Sequence, residues 1–235
     1  MSPTTLVASA NVLDALDRAA ARAAVEAVLA EEPDLVGLQE WGWCRRSLLP
    51  QTDYAWFTPL YGGNPVGARR DRFTLLAARV HLLAGIGRSD PGARPVPVLP
   101  PRVATVARLH DRLGDRTVSV VDFHLVPGAQ AHGRYRTDRP LLAARHASEV
   151  RRLRGLVGSE LAAGHVTFAV GDSNFHGLPL PGLTSAWEGR DDAPGTLGST
   201  RRVDDVFGPG PAVTVTLVDT ASDHRAVLAA RPDQP

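Results

Sequence analysis

The sequence contains no lysine, so all 26 basic residues of this 235-residue chain are arginines. Twenty-five Asp and Glu residues nearly balance them, and the net charge is +1. A chain with this balance lacks the overall positive field that is typical of strongly nucleic-acid-binding proteins. Any attraction to a polyanion must therefore come from local clusters. Two such clusters are predicted to lie in loops near the strands that carry the motifs described below: Arg69, Arg70 and Arg72, and Arg134, Arg136 and Arg139.

A single cysteine, Cys44, excludes a framework of internal disulfide bonds. It follows Trp41-Gly42-Trp43, and we expect a small buried apolar residue there rather than a nucleophile. The sequence has no apolar stretch of about 18 residues, and its N-terminus does not show a basic segment followed by a long apolar one. These absences predict a protein without a membrane anchor and with a cytoplasmic location.

Length and composition favour an ordinary globular protein. The chain is 43% hydrophobic and 22% charged, which is typical of such proteins, and it is long enough to bury a full core. We find no internal repeat and no low-complexity linker that divides it. We therefore predict a single domain over residues 1–235 and a monomer.

The first 40 residues predict a strand, an amphipathic helix and a second strand. Apolar residues dominate 6–13 and 34–40, while Ala, Leu and Val recur at helical spacing over 17–32. Asp14 or Asp17 is expected to cap the helix, and Pro33 to end it. This order is typical of a βαβ unit.

The rest of the chain does not continue as a regular alternation of strands and helices. A second long helix is predicted over 141–161, and a hairpin turn over 111–115. A turn is expected at 61–65 and a surface loop at 88–101. Further strands are predicted at 54–60, 73–80, 103–109, 117–123, 166–170, 184–187, 202–207, 212–218 and 226–230. This order predicts a mixed α/β protein in which two sheets pack together and carry helices outside.

Polar side chains stand at the ends of several of these strands. Acidic residues are rarely buried unless they are paired or bind a metal, so a set of them at strand ends needs a reason. Each has a simple alternative: Glu40 as an exposed strand end, His124 as a core histidine, 171–174 as an ordinary turn. Their number favours a functional site. The set is Asn11, Glu40, His124, Asp172, Asn174, Asp204, Asp223 and His224.

Three motifs in this set are specific: Pro-Asp-x-x-x-Leu-Gln-Glu at 33–40, Gly-Asp-x-Asn at 171–174, and Ser-Asp-His at 222–224. With Asn11, His124 and Asp204 in the same chain order, they resemble the endonuclease/exonuclease/phosphatase superfamily. That superfamily includes DNase I-like nucleases, abasic-site endonucleases, neutral sphingomyelinases and inositol polyphosphate 5-phosphatases. The resemblance covers about residues 6–230. It implies a four-layer α-β-β-α sandwich, in agreement with the mixed class favoured above.

The resemblance also implies a metal-dependent hydrolase of phosphate esters. Such chemistry needs a hard cation, Mg²⁺ or Mn²⁺, to neutralise charge on the phosphoryl oxygens, and these cations prefer carboxylate and amide oxygens. By resemblance Glu40 is the principal metal ligand, with Asn11 beside it and Asp223 contributing from the last motif. No covalent enzyme intermediate is implied.

The remaining residues receive catalytic roles by the same resemblance. His224 acts as a general base or binds a phosphoryl oxygen, and Asp204 orients its imidazole. Asp172 positions or deprotonates the attacking water, and Asn174 holds that water or a phosphate oxygen. His124 is the general acid or a phosphate clamp.

The sequence departs from the superfamily pattern at two positions. Ser173 replaces the aromatic residue that usually stands between the Asp and the Asn. Leu13 occupies a position where some relatives have a second acidic ligand, so the sequence does not decide whether the site holds one metal ion or two. We identify no carboxylate that pairs with His124. Gly-Asp-Ser also occurs in serine esterases, which would make Ser173 a nucleophile, but there the motif lies near the N-terminus.

The substrate is less defined than the chemistry. Local arginine clusters favour a phosphodiesterase that acts on nucleic acid or a nucleotide, as an endonuclease or exonuclease. A phosphomonoesterase, or an enzyme for inositol phosphates or phospholipids, is the alternative. The chain has little room for the added loops of lipid-cleaving relatives.

Overall fold

Two β-sheets pack face to face, and the computed structural model describes residues 4–60, 63–93 and 95–232. The strands are β1 (Thr4–Asn11), β2 (Leu35–Gln39), β3 (Tyr54–Phe57), β4 (Val66–Arg69), β5 (Phe73–Ala84), β6 (Gly87–Arg88), β7 (Val98–Leu99), β8 (Arg102–Asp111), β9 (Arg116–His124), β10 (Gln130–Ala131), β11 (Arg134–Tyr135), β12 (Val166–Asp172), β13 (Asp204–Phe207), β14 (Thr214–Val218) and β15 (Ala226–Pro232). The helices are α1 (Arg18–Leu29), α2 (Pro140–Ala162) and a 3₁₀ helix, Trp43–Leu48.

The first sheet has six strands in the order β14-β15-β1-β2-β4-β3, and the second has five in the order β13-β12-β9-β8-β5. Strands alternate their side chains between two layers, as pleated strands must. In β1, Val7 packs between the sheets while Ala8 packs towards α1. In β12, Val170 packs between the sheets while Ala169 packs towards α2. The layers are therefore α1, first sheet, second sheet and α2, which confirms the predicted sandwich.

At the start of each α-helix, an aspartate side chain accepts hydrogen bonds from backbone N–H groups that have no partner within the helix. The Asp17 carboxylate accepts a hydrogen bond from the Ala20 N–H at 2.8 Å, which confirms one of the two predicted caps. At the start of α2, Pro140 has no N–H to satisfy, and the carboxylate of Asp90 accepts from the next two N–H groups at 2.9 and 3.0 Å. The loop that carries Asp90 thereby fixes the start of the long helix.

Several local predictions differ from the structure. The predicted loop over 88–101 contains part of a short ribbon formed by β6 and β7, and β4 was not predicted. Residues 184–187 do not form a strand; only Thr184 bridges to Gly208. Cys44 is exposed rather than buried, because the 3₁₀ helix turns its side chain outward. Part of the turn predicted at 61–65 lies outside the described residues.

The topology brings one end of six strands to the same edge of the sandwich. Strands β1 and β2 are parallel, and so are β9 and β12, so that all four end there. Strands β13 and β15 run antiparallel to these neighbours and begin there. We call this end, where Asn11, Glu40, His124, Asp172 and His224 lie, the active edge. Within the described ranges, no helix has the length and apolar character needed to span a membrane.

Candidate active site

Strand register places three of the predicted site residues side by side on the second sheet. Asp172, at the end of β12, lies directly opposite His124 on β9 and Asp204 on β13. Residues directly opposite on neighbouring strands point to the same face. This row therefore presents an imidazole and two carboxylates together, and all three side chains are buried.

The Asp172 carboxylate is the centre of the site. It accepts hydrogen bonds from the Asn11 amide at 3.0 Å, the Asn174 N–H at 2.7 Å and the Asn174 amide at 3.1 Å. Asn174 has a φ of 49°, a left-handed conformation that Asn tolerates better than most residues. The predicted strand end thus delivers Asp172 already oriented, and Asn174 serves first to hold it.

His224 and Asp204 form the second element. The His224 Nδ1 lies 2.7 Å from an Asp204 carboxylate oxygen, so Nδ1 carries a proton and Nε2 is directed away from Asp204. This pairing is the one predicted from the resemblance. Asp172, Asp204 and His224 offer ligand-type atoms that all lie within 4.8 Å of one another.

Burial and neighbouring charge shift the pKa values of both groups. Burial and then the charge of Asp204 raise the pKa of Asp172 to about 7, although His224 and the hydrogen bonds oppose this shift. Burial lowers the pKa of His224, but its hydrogen bond and charge interaction with Asp204 outweigh burial and raise it to about 9. Perturbed pKa values of this kind are enriched at functional sites.

His124 and Glu40 complete the edge. The His124 Nε2 lies 3.6 Å from an Asp172 oxygen and 3.9 Å from a Glu40 oxygen. Two carboxylates of the site therefore lie within 4 Å of this imidazole. Glu40 has a φ of 59°, and its other oxygen accepts the Asp14 N–H at 3.0 Å. These constraints turn Glu40 out of the strand and towards the second sheet.

Asp223 is exposed in the loop before β15. Its neighbour Ser222 accepts a hydrogen bond from the Leu13 N–H at 3.1 Å, which ties this loop to the end of β1. Asp223 therefore lies on the Asn11 side of the active edge, but it does not belong to the tight cluster around Asp172.

The donor set around Asn11 fits a hard divalent cation. The amide nitrogen of Asn11 donates to Asp172, while its oxygen is buried without a hydrogen-bond partner among the described residues. Such an unsatisfied acceptor is costly unless something binds it. Glu40 adds a carboxylate on the next strand, since Asn11 pairs with Gln39. Amide and carboxylate oxygens are the ligands that Mg²⁺ prefers.

Two supporting contacts were not predicted. Gln39 donates to the fully buried Asp122 at 2.7 Å, and burial raises the pKa of Asp122 well above its ordinary value. A charged residue inside the apolar run of β9 was a visible signal. The second is His146 on α2, whose Nε2 donates to the Ser173 carbonyl at 2.8 Å. Nothing in the sequence of the helix distinguishes it.

Ser173 is not placed as a nucleophile. Its hydroxyl is buried and lies 2.7 Å from the Phe175 carbonyl and 2.8 Å from the Val203 carbonyl. A serine hydroxyl engaged in this way closes a turn. The serine-esterase alternative is therefore not supported by the geometry.

The first predicted arginine cluster is not at the active edge. Arg69, Arg70 and Arg72 lie at the opposite end of the sheets, near the beginnings of β1 and β2. Arg72 is buried against Asp111, and Arg69 is paired with Asp71. The cluster therefore lies near motif-bearing strands, as expected, but at the ends opposite the site, and Arg69 belongs to β4 rather than to a loop. These arginines do not support a polyanion bound at the active edge.

Three solved structures share this fold over almost the whole chain, and the first of them is an endonuclease/exonuclease/phosphatase protein. The Bacteroides vulgatus endonuclease/exonuclease/phosphatase matches with a TM-score of 0.68 and 16% identity, covering 97% of this chain and 98% of that chain. At 15–16% identity, this match and the two described next establish the fold alone.

The other two structures are of particular proteins. D. rerio TDP2 complexed with a single-strand DNA product matches with a TM-score of 0.67 and 16% identity, covering 97% of this chain and 98% of that chain. The mannosyl-6-phosphatase Bt3783 of Bacteroides thetaiotaomicron matches with a TM-score of 0.64 and 15% identity, covering 96% of this chain and 98% of that chain. No protein-family model matches the sequence, and no curated protein is similar to it.

Proposed function

We propose that the protein is a metal-dependent phosphodiesterase that hydrolyses its substrate by direct attack of water, and that nucleic acid or a nucleotide is the substrate. The observation that carries this proposal is the convergence of two groups of side chains. His124, Asp172 and Asp204 form one row on the second sheet, and Asn11, Glu40 and His224 meet them from the first sheet. This arrangement surrounds one position with a base, an acid and a cation-binding pair, as hydrolysis of a phosphate ester requires.

The chain's own residues divide the reaction between them. Asp172, held by Asn11 and Asn174, accepts a proton from water as the water oxygen bonds to phosphorus. His224, kept protonated by Asp204, donates from Nε2 to a phosphoryl oxygen. His124, in its protonated form, gives its proton to the oxygen that leaves when the other P–O bond breaks. This assignment chooses phosphate binding for His224, because a pKa of about 9 keeps it charged at neutral pH.

Asn11, Glu40 and Asp223 would hold Mg²⁺ or Mn²⁺, which supplies positive charge to the phosphoryl oxygens and the leaving group. Glu40 is oriented for this role by the Asp14 N–H, and Asn11 by its bond to Asp172. The residues of the proposed site all come from one chain, which supports action as a monomer.

The fold likeness to TDP2 in complex with a single-strand DNA product supports a nucleic-acid substrate. The likeness to a mannosyl-6-phosphatase supports the alternative, a phosphomonoesterase. Both reactions use the same edge, so the distinction rests on the number of substituents that the phosphate carries.

A substrate screen tests the proposal. Plasmid DNA, single-stranded DNA, RNA, bis-nitrophenyl phosphate and nitrophenyl phosphate are each incubated with Mg²⁺, with Mn²⁺ and with EDTA. We expect cleavage of diesters, its loss in EDTA, and its loss in Glu40→Ala. A preference for nitrophenyl phosphate would establish the phosphomonoesterase instead, and activity that survives EDTA would refute metal dependence.

A further inference from the structure

A cleft of about 550 Å³ opens beside the active edge. It is lined by Gln130, Ala131, His132, His176, Thr200 and Arg201. None of these residues is acidic, one is a permanent cation, and two are imidazoles. A cleft of this composition suits an anion rather than a cation or an apolar group.

Both walls of the cleft are continuous with the proposed catalytic residues. One wall, the β10–β11 ribbon, follows His124 on the chain after five residues. The other wall is the segment 195–201, in which Leu197 bridges to both Arg201 and His224. Between them His176 lies two residues after Asn174, so that their Cα atoms are within about 7 Å. The cleft therefore extends the active edge.

His176 presents a hydrogen-bond donor at this position. Its Nδ1 accepts the Arg202 N–H at 3.4 Å, so in the neutral ring the proton is on Nε2. Burial, with the nearby charges of Arg202 and His132, lowers the pKa of His176, which favours this neutral donor form. The donor thus does not require protonation of the ring.

Arg201 adds a full positive charge. Its side chain is exposed, and among the described residues no carboxylate forms an ion pair with it. Arg136 and Arg69, by contrast, are each neutralised by an aspartate two residues away. A free guanidinium at a cleft can bind a phosphate through two parallel hydrogen bonds.

The neighbouring cleft, on the other side of His176, has a different character. It measures about 470 Å³, its lining includes two prolines, two leucines, a tryptophan and a phenylalanine, and it carries Glu188 and Asp191 beside one cation, Arg202. The two carboxylates outnumber that cation, so this cleft is less suited to a phosphate. An anionic substrate is therefore expected to extend from the active edge into the cleft that contains Arg201, and not into this second cleft.

We propose that the cleft between the β10–β11 ribbon and residues 195–201 binds a second phosphate of the substrate, one that is not cleaved. The inference rests on the proposed function and deepens it, because it selects substrates with two or more phosphates, such as oligonucleotides. Arg201 and His176 hold the second phosphate, while His132 contributes from the ribbon.

Dinucleotides with and without an extra phosphate test this inference. The rate constant kcat/KM is measured for TpT, for pTpT and for TpTp, since the additional phosphate can lie on either side of the cleaved bond. One phosphorylated form is expected to react about tenfold faster than TpT. In Arg201→Ala that ratio should fall close to one, and in the wild type it should fall with added salt.

Two further variants make the result specific. Arg151→Ala removes an exposed arginine of α2 that lies outside the cleft, and it should keep the wild-type ratio. His132→Asn preserves the left-handed backbone, where φ is 51°, and should lower the ratio partly. An unchanged ratio in Arg201→Ala would refute the subsite, as would no difference between the dinucleotides.

A binding measurement separates this inference from the proposed function. Calorimetry compares thymidine 3′,5′-bisphosphate with thymidine 5′-monophosphate and with inorganic phosphate, on the wild type and on Arg201→Ala. Tighter binding of the bisphosphate that is lost in the variant supports the subsite even if no ester is hydrolysed. Equal binding of all three probes in both proteins overturns the subsite even if diesters are cleaved.

Discussion

The two ends of the sandwich both bury carboxylates, but they treat them differently. At the active edge, Asp172 and Asp204 lie side by side, and the His224 imidazole lies within 4.8 Å of both carboxylates. At the opposite end, Asp111 is fully buried and receives two parallel hydrogen bonds from Arg72, at 3.0 and 2.9 Å. Arg116 lies 3.3 Å from the same carboxylate.

The consequence appears in the pKa values. Burial would raise the pKa of Asp111, but its hydrogen bond and charge interaction with Arg72 lower it below the ordinary value. Asp172, buried to a similar extent, has a pKa raised to about 7. At the opposite end, the negative charge of Asp111 is neutralised by arginines and stabilises the fold. At the active edge, the negative charge of Asp172 has no arginine partner among the residues that the structure describes, and its raised pKa suits it to proton transfer. The same substitution at the two ends should separate these roles.

The largest effect is expected for Asp172→Asn. The amide can still accept the Asn174 N–H, but it cannot take a proton from water, so turnover should fall about 10²–10⁴-fold. Because the change removes a poorly compensated buried charge, the free energy of unfolding at pH 8 without metal should rise by up to about 1 kcal/mol. Steady-state kinetics and urea denaturation measure both. Near-native turnover would contradict the proposed base.

The matched change at the opposite end is Asp111→Asn. It leaves Arg72 and Arg116 with a neutral partner in a buried place, and the free energy of unfolding should fall by about 3–5 kcal/mol. Turnover per folded molecule should stay unchanged, since the two ends are separated by the length of the strands.

Glu26→Gln provides the control for Asp111→Asn, because Glu26 forms an exposed ion pair with Arg22 on α1. Exposed pairs of this kind contribute about 0.5 kcal/mol or less. If Asp111→Asn cost no more than this control, the compensated end would not be a stabilising element, and the comparison between the ends would fail.

The sequence could predict the active edge better than the opposite end, for a physical reason. Asp172 ends β12, while Asp204 begins β13 and His224 lies just before β15, so the ends and beginnings of neighbouring strands bring them to one edge. Arg72 and Asp111 are 39 residues apart and belong to no motif, so only the register of β5 against β8 brings them together. For that reason the sequence indicated Arg69, Arg70 and Arg72 as a cluster that could attract a polyanion, although they lie at the opposite end of the sheets.

Contacts made from the other sheet or from a helix were equally hard to predict from the sequence. The sequence of β9 showed an acidic residue in an apolar run, yet it did not show that Gln39 would reach Asp122 from the other sheet. His146 supports the loop after Asp172 through a backbone carbonyl, and a backbone acceptor leaves no trace in the sequence. Motifs identify the groups that react, and three-dimensional packing identifies the groups that hold them.

Another buried carboxylate tests whether an arginine partner is what distinguishes the two ends. Glu160, on α2, receives two hydrogen bonds from Arg108 at 2.7 and 2.9 Å, and it also contacts Ser119 and His165. The bond from Arg108 is the largest of the effects that lower its pKa to about 2, against an ordinary value of 4.5. A carboxyl group whose pKa is lower in the folded state stabilises the fold above the unfolded value and loses that contribution as pH falls.

Apart from the Glu26→Gln control, a smaller loss of stability than that of Asp111→Asn is expected for Glu160→Gln, and it should depend on pH. Because Arg108 is half exposed and solvent screens the pair, the free energy of unfolding should fall by about 1–2 kcal/mol at pH 7. The difference from the wild type should shrink as pH decreases from about 4.5 to about 2, where Glu160 becomes protonated in the wild type as well. Denaturation curves at a series of pH values measure it. A difference that stayed constant down to pH 2 would show that the stabilisation comes from packing of Glu160 rather than from its charge, and the arginine partner would then not explain the contrast between the two ends.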